Sequence, residues 1–386
     1  MGFLCGLRRG DEGSLLLVTN PFIREENGNI RISATFPGIL LQRYLEGGSH
    51  MCTSITFKNG DFYFGRNMDL EYSFGECVTV TPRRFPFRFR YEGALASHYA
   101  MIGMAAGETS FPLYAEAVNE KGLCMAGLNF PGNAYYGKAA EGKANAAVYE
   151  LIPWLLGTCA SVEEAEEKLS RLNLTDDAFS ENMPPAPLHW MLADRERCLV
   201  IEPVREGMDI YEDPVGVLTN NPSFEYHRTN LNNYLNVTAQ YPRAQFLRPG
   251  RTGGAAAGED GPDLKPYSQG MGGIGLPGDF SSSSRFVKAA FLKWNCVCGK
   301  SEEENVSQFF HILDGVAMPR GAVITQDGNY DITTYSCCVN ADTGIYYYKT
   351  YGNSQIAAVD MRGIDLDGDR LTAYPMETGQ VIRKVN

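Results

Sequence analysis

The chain has 386 residues, of which 44% are apolar, 11% aromatic and 21% charged, so it can bury a large core and is not a disordered polypeptide. Its net charge of −12 is not relieved by any basic block, which argues against a nucleic-acid or anionic-membrane partner. There is no apolar run of the roughly eighteen residues that a membrane-spanning helix needs.

The first segment, "MGFLCGLRRGDEGSLLLVTN", has a basic pair but only a short apolar run, preceded by Asp11 and Glu12. That is too weak for a signal peptide, and the expected location is the cytoplasm. Residues 1 to 50 carry apolar clusters without a sustained period and end in Gly-Gly-Ser-His before Met51. Three origins compete: a removable propeptide, an expression-vector scar, or a start codon set too far upstream. The last is favoured because Glu46-Gly47-Gly48 can be encoded by a purine-rich ribosome-binding sequence ahead of Met51. All three leave Cys52 as the mature N-terminus, so residues 1–51 are expected to lie outside a single domain spanning 52–386.

From Thr53 to Gly65 apolar residues alternate about Asn59-Gly60, which predicts a strand, a tight turn and a second strand. A third β stretch, "CVTVTPRRFPFRFRY", follows. Helices are predicted over 145–158 and 161–172, the second opened by a Ser161/Glu164 capping box. Strand patterns return in "LHWMLADRERCLVIEPV" and "MDIYEDPVGVLTNN", and the Gly/Pro/Ala-rich stretch 248–263 reads as a surface loop. A second helical pair is predicted over 284–297 and 303–316, followed by strands in "YDITTYSCCVNADTGIYYYKTYG". Strands alternating with helix pairs predict an α+β fold, a four-layer α/β/β/α sandwich of two antiparallel sheets flanked by helices.

The ten cysteines are scattered. Without a secretion signal or CxxC pairs they read as reduced thiols. Cys296/Cys298 and Cys337/Cys338 lack metal-finger spacing and no HExxH occurs, so neither a metal nor another cofactor is expected.

Cys52 differs from the others through its position. At a mature N-terminus it supplies a thiol and, on the same residue, an α-amine with an ordinary pKa of about 7.7–8.0 that can serve as a base. Arg66 and Asp69 in "GRNMD" follow the hairpin. The guanidinium can favour thiolate and the carboxylate can hold the amine. Each also has an ordinary structural reading: a buried thiol, and a surface ion pair.

"MCTSITFKNGDFYFGRNMDLEYSFGECVTVTPR" resembles the opening of the choloylglycine hydrolase family, N-terminal-nucleophile hydrolases that include bile salt hydrolases and penicillin V acylases. The resemblance continues through "AVNEKGLCMAGLNFPGNAYY", "PLHWMLAD", "VLTNNPSFEYHRTNLNNYL" and "GIGLPGDFSSSSRFVKAAF", and spans Met51 to Asn386. It implies the N-terminal-nucleophile fold, with Cys52 as nucleophile and Arg66, Asp69 and Arg285 as catalytic partners. It also implies Asn220 and Asn129 as oxyanion donors. Both asparagines stand in turn-type sequences where they can instead bond their own backbone.

Penicillin V acylases usually carry Tyr where this chain has Asn129, so the resemblance is nearer to bile salt hydrolases. It implies hydrolysis of glycine- or taurine-conjugated bile acids and a homotetramer. A penicillin V acylase is the alternative, and a non-catalytic binding protein or an inactive precursor is the alternative of another class. An apolar, loop-lined pocket suits a steroid amide. Its candidate linings are Met68, Ala96 in "EGALASHYAMIG" and Phe130 in "FPGNAYYG", each of which ordinary packing would also explain.

Overall fold

The computed structural model describes residues 51–106, 110–242 and 266–386, with the backbone of 24–26 and 29–31. The chain divides into two units, Met1–Glu46 and Gly47–Asn386. In the first, Arg24–Glu26 pairs antiparallel with Asn29–Arg31. The remainder of residues 1–50 and the predicted loop 248–263 lie outside the described residues.

The second unit is built on two large antiparallel sheets. The opening hairpin forms as the alternation predicts: Met51–Asn59 pairs with Asp61–Leu70 around Gly60, whose φ of +70° is the conformation that such a turn requires. Val217–Leu218 lies on one side of this hairpin. On the other side follow Tyr330–Asn340, Ile345–Thr350 and Asn353–Asp360, and Val323–Ile324 also pairs with Tyr330–Asn340. Gly65 permits the close passage of Asp61–Leu70 beside Tyr330–Asn340: a methyl group there would stand 2.0 Å from the carbonyl oxygen of Cys337.

The other sheet has eight strands. Their order across it is Gly207–Glu212, Cys198–Val204, Leu188–Ala193, Cys124–Asn129, Tyr114–Asn119, Met101–Ala106, Glu76–Thr81 and Thr372–Pro375. Its inner strands, such as Cys124–Asn129, Leu188–Ala193 and Cys198–Val204, are buried on both faces, with successive residues serving different layers. Met191 and Val200 join the core shared with Cys52 and Phe64 of the seven-stranded sheet. Their neighbours Trp190, Leu192, Leu199 and Ile201 pack with Leu151, Trp154 and Leu155 of the helical layer outside. On the far side, Phe286, Ala289 and Ala290 of helix Ser282–Asn295 and Phe309 and Ile312 of helix Glu302–Asp314 complete the first core. The i, i+3, i+4 spacing of the first trio is the stripe by which a helix seats on a sheet. The architecture is the expected α/β/β/α sandwich.

Boundaries differ from the sequence reading where tertiary pairing intervenes. The helix predicted over 145–158 begins at Leu151, because Ala144–Ala147 is a strand paired in parallel with Leu172–Thr175. Pro153 is accommodated in that helix's first turn, where no intrahelical N–H bond is lost. The same strand pair ends the next helix at Leu169, while its predicted start holds: the Ser161 side chain accepts from the Glu164 N–H. "CVTVTPRRFPFRFRY" is not one strand but two, Glu76–Thr81 and Phe87–Phe89, separated after Pro82. Among the described residues no helix is long and apolar enough to cross a membrane.

Candidate active site

Cys52 is the second residue of its strand and is 2% exposed. Its register partner on the next strand is Met68, and its Sγ lies 3.8 Å from Met68 Sδ. In the 386-residue chain its nitrogen is a peptide N–H, and it donates to Asn220 Oδ1 at 2.8 Å. The Cys52 carbonyl accepts from Arg285 Nη1. Burial pushes the thiol's pKa up, Arg66 pulls it down, Asp69 raises it and Arg285 lowers it again.

Arg285 enters from the first turns of helix Ser282–Asn295 and is fully buried. Its guanidinium gathers three segments: Nη1 donates to Thr53 Oγ1 at 2.7 Å as well as to the Cys52 carbonyl, Nη2 donates to Asn220 Oδ1 at 2.8 Å, and Nε donates to the Phe280 carbonyl at 3.0 Å. Asn220 Oδ1 thus accepts from both Cys52 and Arg285. Its Nδ2 donates to the main-chain carbonyl of Asn129 at 2.8 Å, which brings the two predicted asparagines together. The Asn220 backbone is fixed on both sides: its N–H donates to Ser282 Oγ at 2.9 Å, and its carbonyl lies 2.8 Å from His227 Nε2.

Arg66 and Asp69 lie on the second strand of the hairpin, both fully buried. Arg66 Nη1 donates to the carbonyls of Gly127 at 2.6 Å and Ala115 at 3.3 Å, and Nη2 approaches Met68 Sδ at 3.6 Å. On its far side stands Glu116 of the facing sheet, with Oε2 3.7 Å from Nη1. That carboxylate also accepts from Tyr335 at 2.9 Å and Tyr346 at 2.6 Å. Asp69 accepts from the Thr333 hydroxyl through Oδ1 at 2.5 Å, while its buried Oδ2 has no hydrogen-bond partner among the described residues. Burial raises its carboxyl to about 6 against the pull of Arg285, Thr333 and Arg66.

The arrangement therefore offers a buried thiol, two buried guanidinium groups, a buried carboxyl and the amide N–H₂ of Asn220. These are the parts of nucleophilic acyl transfer: a nucleophile, charges that favour its ionised form, and neutral donors for a developing oxyanion.

The six predicted catalytic positions are brought into one cluster, with Asn129 joined through its carbonyl. Met68 is against Cys52, and Phe130 is buried next to Asn129. Ala96 departs from expectation. It is exposed, just beyond the short strand Gly93–Leu95, whose hairpin packs on the outer helical layer through Phe87, Phe89 and Leu95. A cleft of about 520 Å³ lined by Phe89, Leu95, Trp154, Lys168 and Arg171 lies there and contains none of the six. Thr53, Glu116, His227, Ser282 and Thr333 were not singled out from sequence. Only Thr53, beside Cys52, and Ser282, in the Ser run before Arg285, carried a local signal.

Residues 52–374 match the family model for linear amide C–N hydrolases, choloylglycine hydrolase family. A bile salt hydrolase/transferase of Lactiplantibacillus plantarum is 48% identical over 336 residues, covering 87% of this chain and 100% of that protein. The chain belongs to the choloylglycine hydrolase family. A second relative, the bile salt hydrolase/transferase of Clostridium perfringens, is 39% identical over 341 residues and also wholly covered. A crystal structure of a variant of conjugated bile acid hydrolase from Clostridium perfringens superposes with a TM-score of 0.78 at 37% identity, over 87% of this chain and 100% of that one. A penicillin V acylase from Agrobacterium tumefaciens shares the fold, with a TM-score of 0.65 at 18% identity over 85% of this chain and 94% of that one. In both curated relatives the matched stretch, 87% of this chain, covers the whole of the compared sequence.

Proposed function

We propose that the protein hydrolyses the amide bond of glycine- or taurine-conjugated bile acids through a Cys52 thioester. The observation that carries this reading is the meeting of Cys52, Arg285 and Asn220 at hydrogen-bond distance within a family of linear amide hydrolases. The relatives' names supply the substrate class, and Asn129, where penicillin V acylases usually carry Tyr, favours bile salts over penicillin V.

The working form starts at Cys52. The family match beginning at that residue supports this, as does the complete coverage of relatives by 87% of the chain. With Met51 removed, the Cys52 nitrogen becomes an amine still facing Asn220 Oδ1. The amine takes the thiol proton, and Arg66 and Arg285 stabilise the thiolate. Attack on the amide carbonyl forms a tetrahedral oxyanion, held by Asn220 Nδ2 and the Asn129 amide. Collapse breaks the C–N bond as the α-ammonium protonates the departing glycine or taurine nitrogen. Water, deprotonated by the same amine, then cleaves the thioester. Met68 and Phe130 border the acyl side. A cytoplasmic homotetramer is the form that the family resemblance implies, and light scattering on the purified protein tests the assembly.

The test is release of glycine, taurine or 6-aminopenicillanic acid from glycocholate, taurocholate and penicillin V by protein beginning at Cys52, with Cys52→Ala as control. Hydrolysis of the bile salts that disappears in a folded Cys52→Ala supports the reading. Preference for penicillin V reassigns the substrate. Activity retained without the thiol sinks the mechanism, and binding without turnover indicates a non-catalytic member.

A further inference from the structure

A buried histidine outside the catalytic cluster links the segments that carry both asparagines. His189 lies in strand Leu188–Ala193 and is fully buried. Its Nε2 is 2.9 Å from the carbonyl oxygen of Thr219, the residue before Asn220. A carbonyl can only accept, so Nε2 carries the hydrogen. Its Nδ1 is 3.1 Å from Oε1 of the buried Glu202, and that oxygen also accepts the N–H of Phe224 at 2.9 Å. Whether the proton between them sits on nitrogen or oxygen, the Nε2–H stays committed to Thr219. The ring lies flat on Phe130, the residue after Asn129, with centroids 4.3 Å apart and planes 5° from parallel.

One imidazole therefore holds the Asn220 turn by its edge and the end of the Asn129 strand by its face. Asn220 Nδ2 spends one hydrogen on the Asn129 carbonyl, so the direction of the other depends on the spacing of those two segments. We propose that His189, oriented by Glu202, is a positioning residue that sets the relative placement of Asn129 and Asn220 and so aims the oxyanion donors. It touches no reacting atom. The inference rests on reading the two asparagines as those donors.

The side-chain nitrogen of glutamine reaches about where Nε2 lies, and that of asparagine about where Nδ1 lies. His189→Gln keeps the bond to Thr219, whereas His189→Asn keeps only the one to Glu202. In protein beginning at Cys52, His189→Asn is expected to lower kcat on glycocholate by about 10–100-fold, the scale of a small misplacement of catalytic groups. KM should stay within about twofold, and His189→Gln should recover a large part of the loss. Alkylation of Cys52 by iodoacetamide should proceed to the same extent and at the same rate in both, which a general loss of folding would not allow. Where His189→Asn fails to fold, Glu202→Gln decides: it leaves the imidazole in place but denies it a partner able to share the proton, and kcat should fall at unchanged alkylation. Unchanged kcat in the folded variants, or losses that track lost alkylation, overturn the inference. Asn220→Ala separates the two levels: if it too leaves kcat intact, the oxyanion reading has failed, and if it alone lowers kcat, only the positioning role has failed.

Discussion

The main-chain nitrogen of Cys52 donates to the side-chain oxygen of Asn220 at 2.8 Å, across 168 residues of sequence. The nitrogen proposed as the base is thus already oriented as a peptide N–H, and the proposed chemistry turns on one covalent bond, the peptide to Met51.

That bond gives the first prediction. The 386-residue chain with its Met51–Cys52 peptide intact should be inactive on conjugated bile salts, and active preparations should show Cys52 as the first residue by mass spectrometry. Full turnover by protein whose intact mass retains Met1 would end the free-amine mechanism.

Asn220→Ala removes an oxyanion donor and should lower kcat about 10²–10³-fold. The change also strands Cys52 N–H and Arg285 Nη2, both buried, so stability should fall by about 1–3 kcal/mol in urea unfolding. A variant that loses stability but keeps kcat per alkylatable Cys52 would remove Asn220 from the chemistry.

Asp69 makes a signed prediction about pH. In the 386-residue chain its folded carboxyl sits at about 6 against an ordinary 3.8, mainly through burial. Below pH 3.8 both folded and unfolded states hold the proton. Between 3.8 and 6 the unfolded state ionises first, so stability falls as pH rises through that window and then levels, at a cost of about 3 kcal/mol. Asp69→Asn abolishes that ionisation and should gain stability relative to the parent at pH 7 but not at pH 3.5. Urea midpoints for both proteins at the two pH values check this, and an equal difference at both would contradict it.

Gly65→Ala should destabilise by about 1–3 kcal/mol, the usual cost of overpacking. The new methyl would meet backbone, the Cys337 carbonyl, which cannot move aside as a flexible side chain could. Because Gly65 precedes Arg66, activity should fall as well. A melting temperature equal to that of the parent would show that the two strands can separate locally without loss.

Much of the fold was legible because its signals are local. Asn59-Gly60 specifies a turn by the backbone conformation glycine allows, and Ser161 begins a helix by accepting an N–H group within the next turn. Residues 145–147 carry a helical pattern but form a strand, because the strand Ala144–Ala147 takes its structure from Leu172–Thr175, a partner more than twenty residues away. Among the site residues, Cys52, Arg66 and Asp69 share one hairpin, and the family motifs brought Asn129, Asn220 and Arg285 to join them. Ala96 was drawn toward the pocket because apolar loop residues look alike in sequence whichever face of the sheet they cover.

The sequence by itself determined the hairpin, the two helix pairs, the layer order they imply and the candidate nucleophile, since each follows from side-chain period, turn chemistry or motif. Only the tertiary structure decided the surroundings that tune those groups: Glu116 behind Arg66, Thr333 on Asp69, Arg285 spanning Cys52 and Asn220, and His189 between the two asparagine segments. Those partners come from separate strands and helices, and their effect depends on distance and burial, quantities that exist only once the sheets have packed.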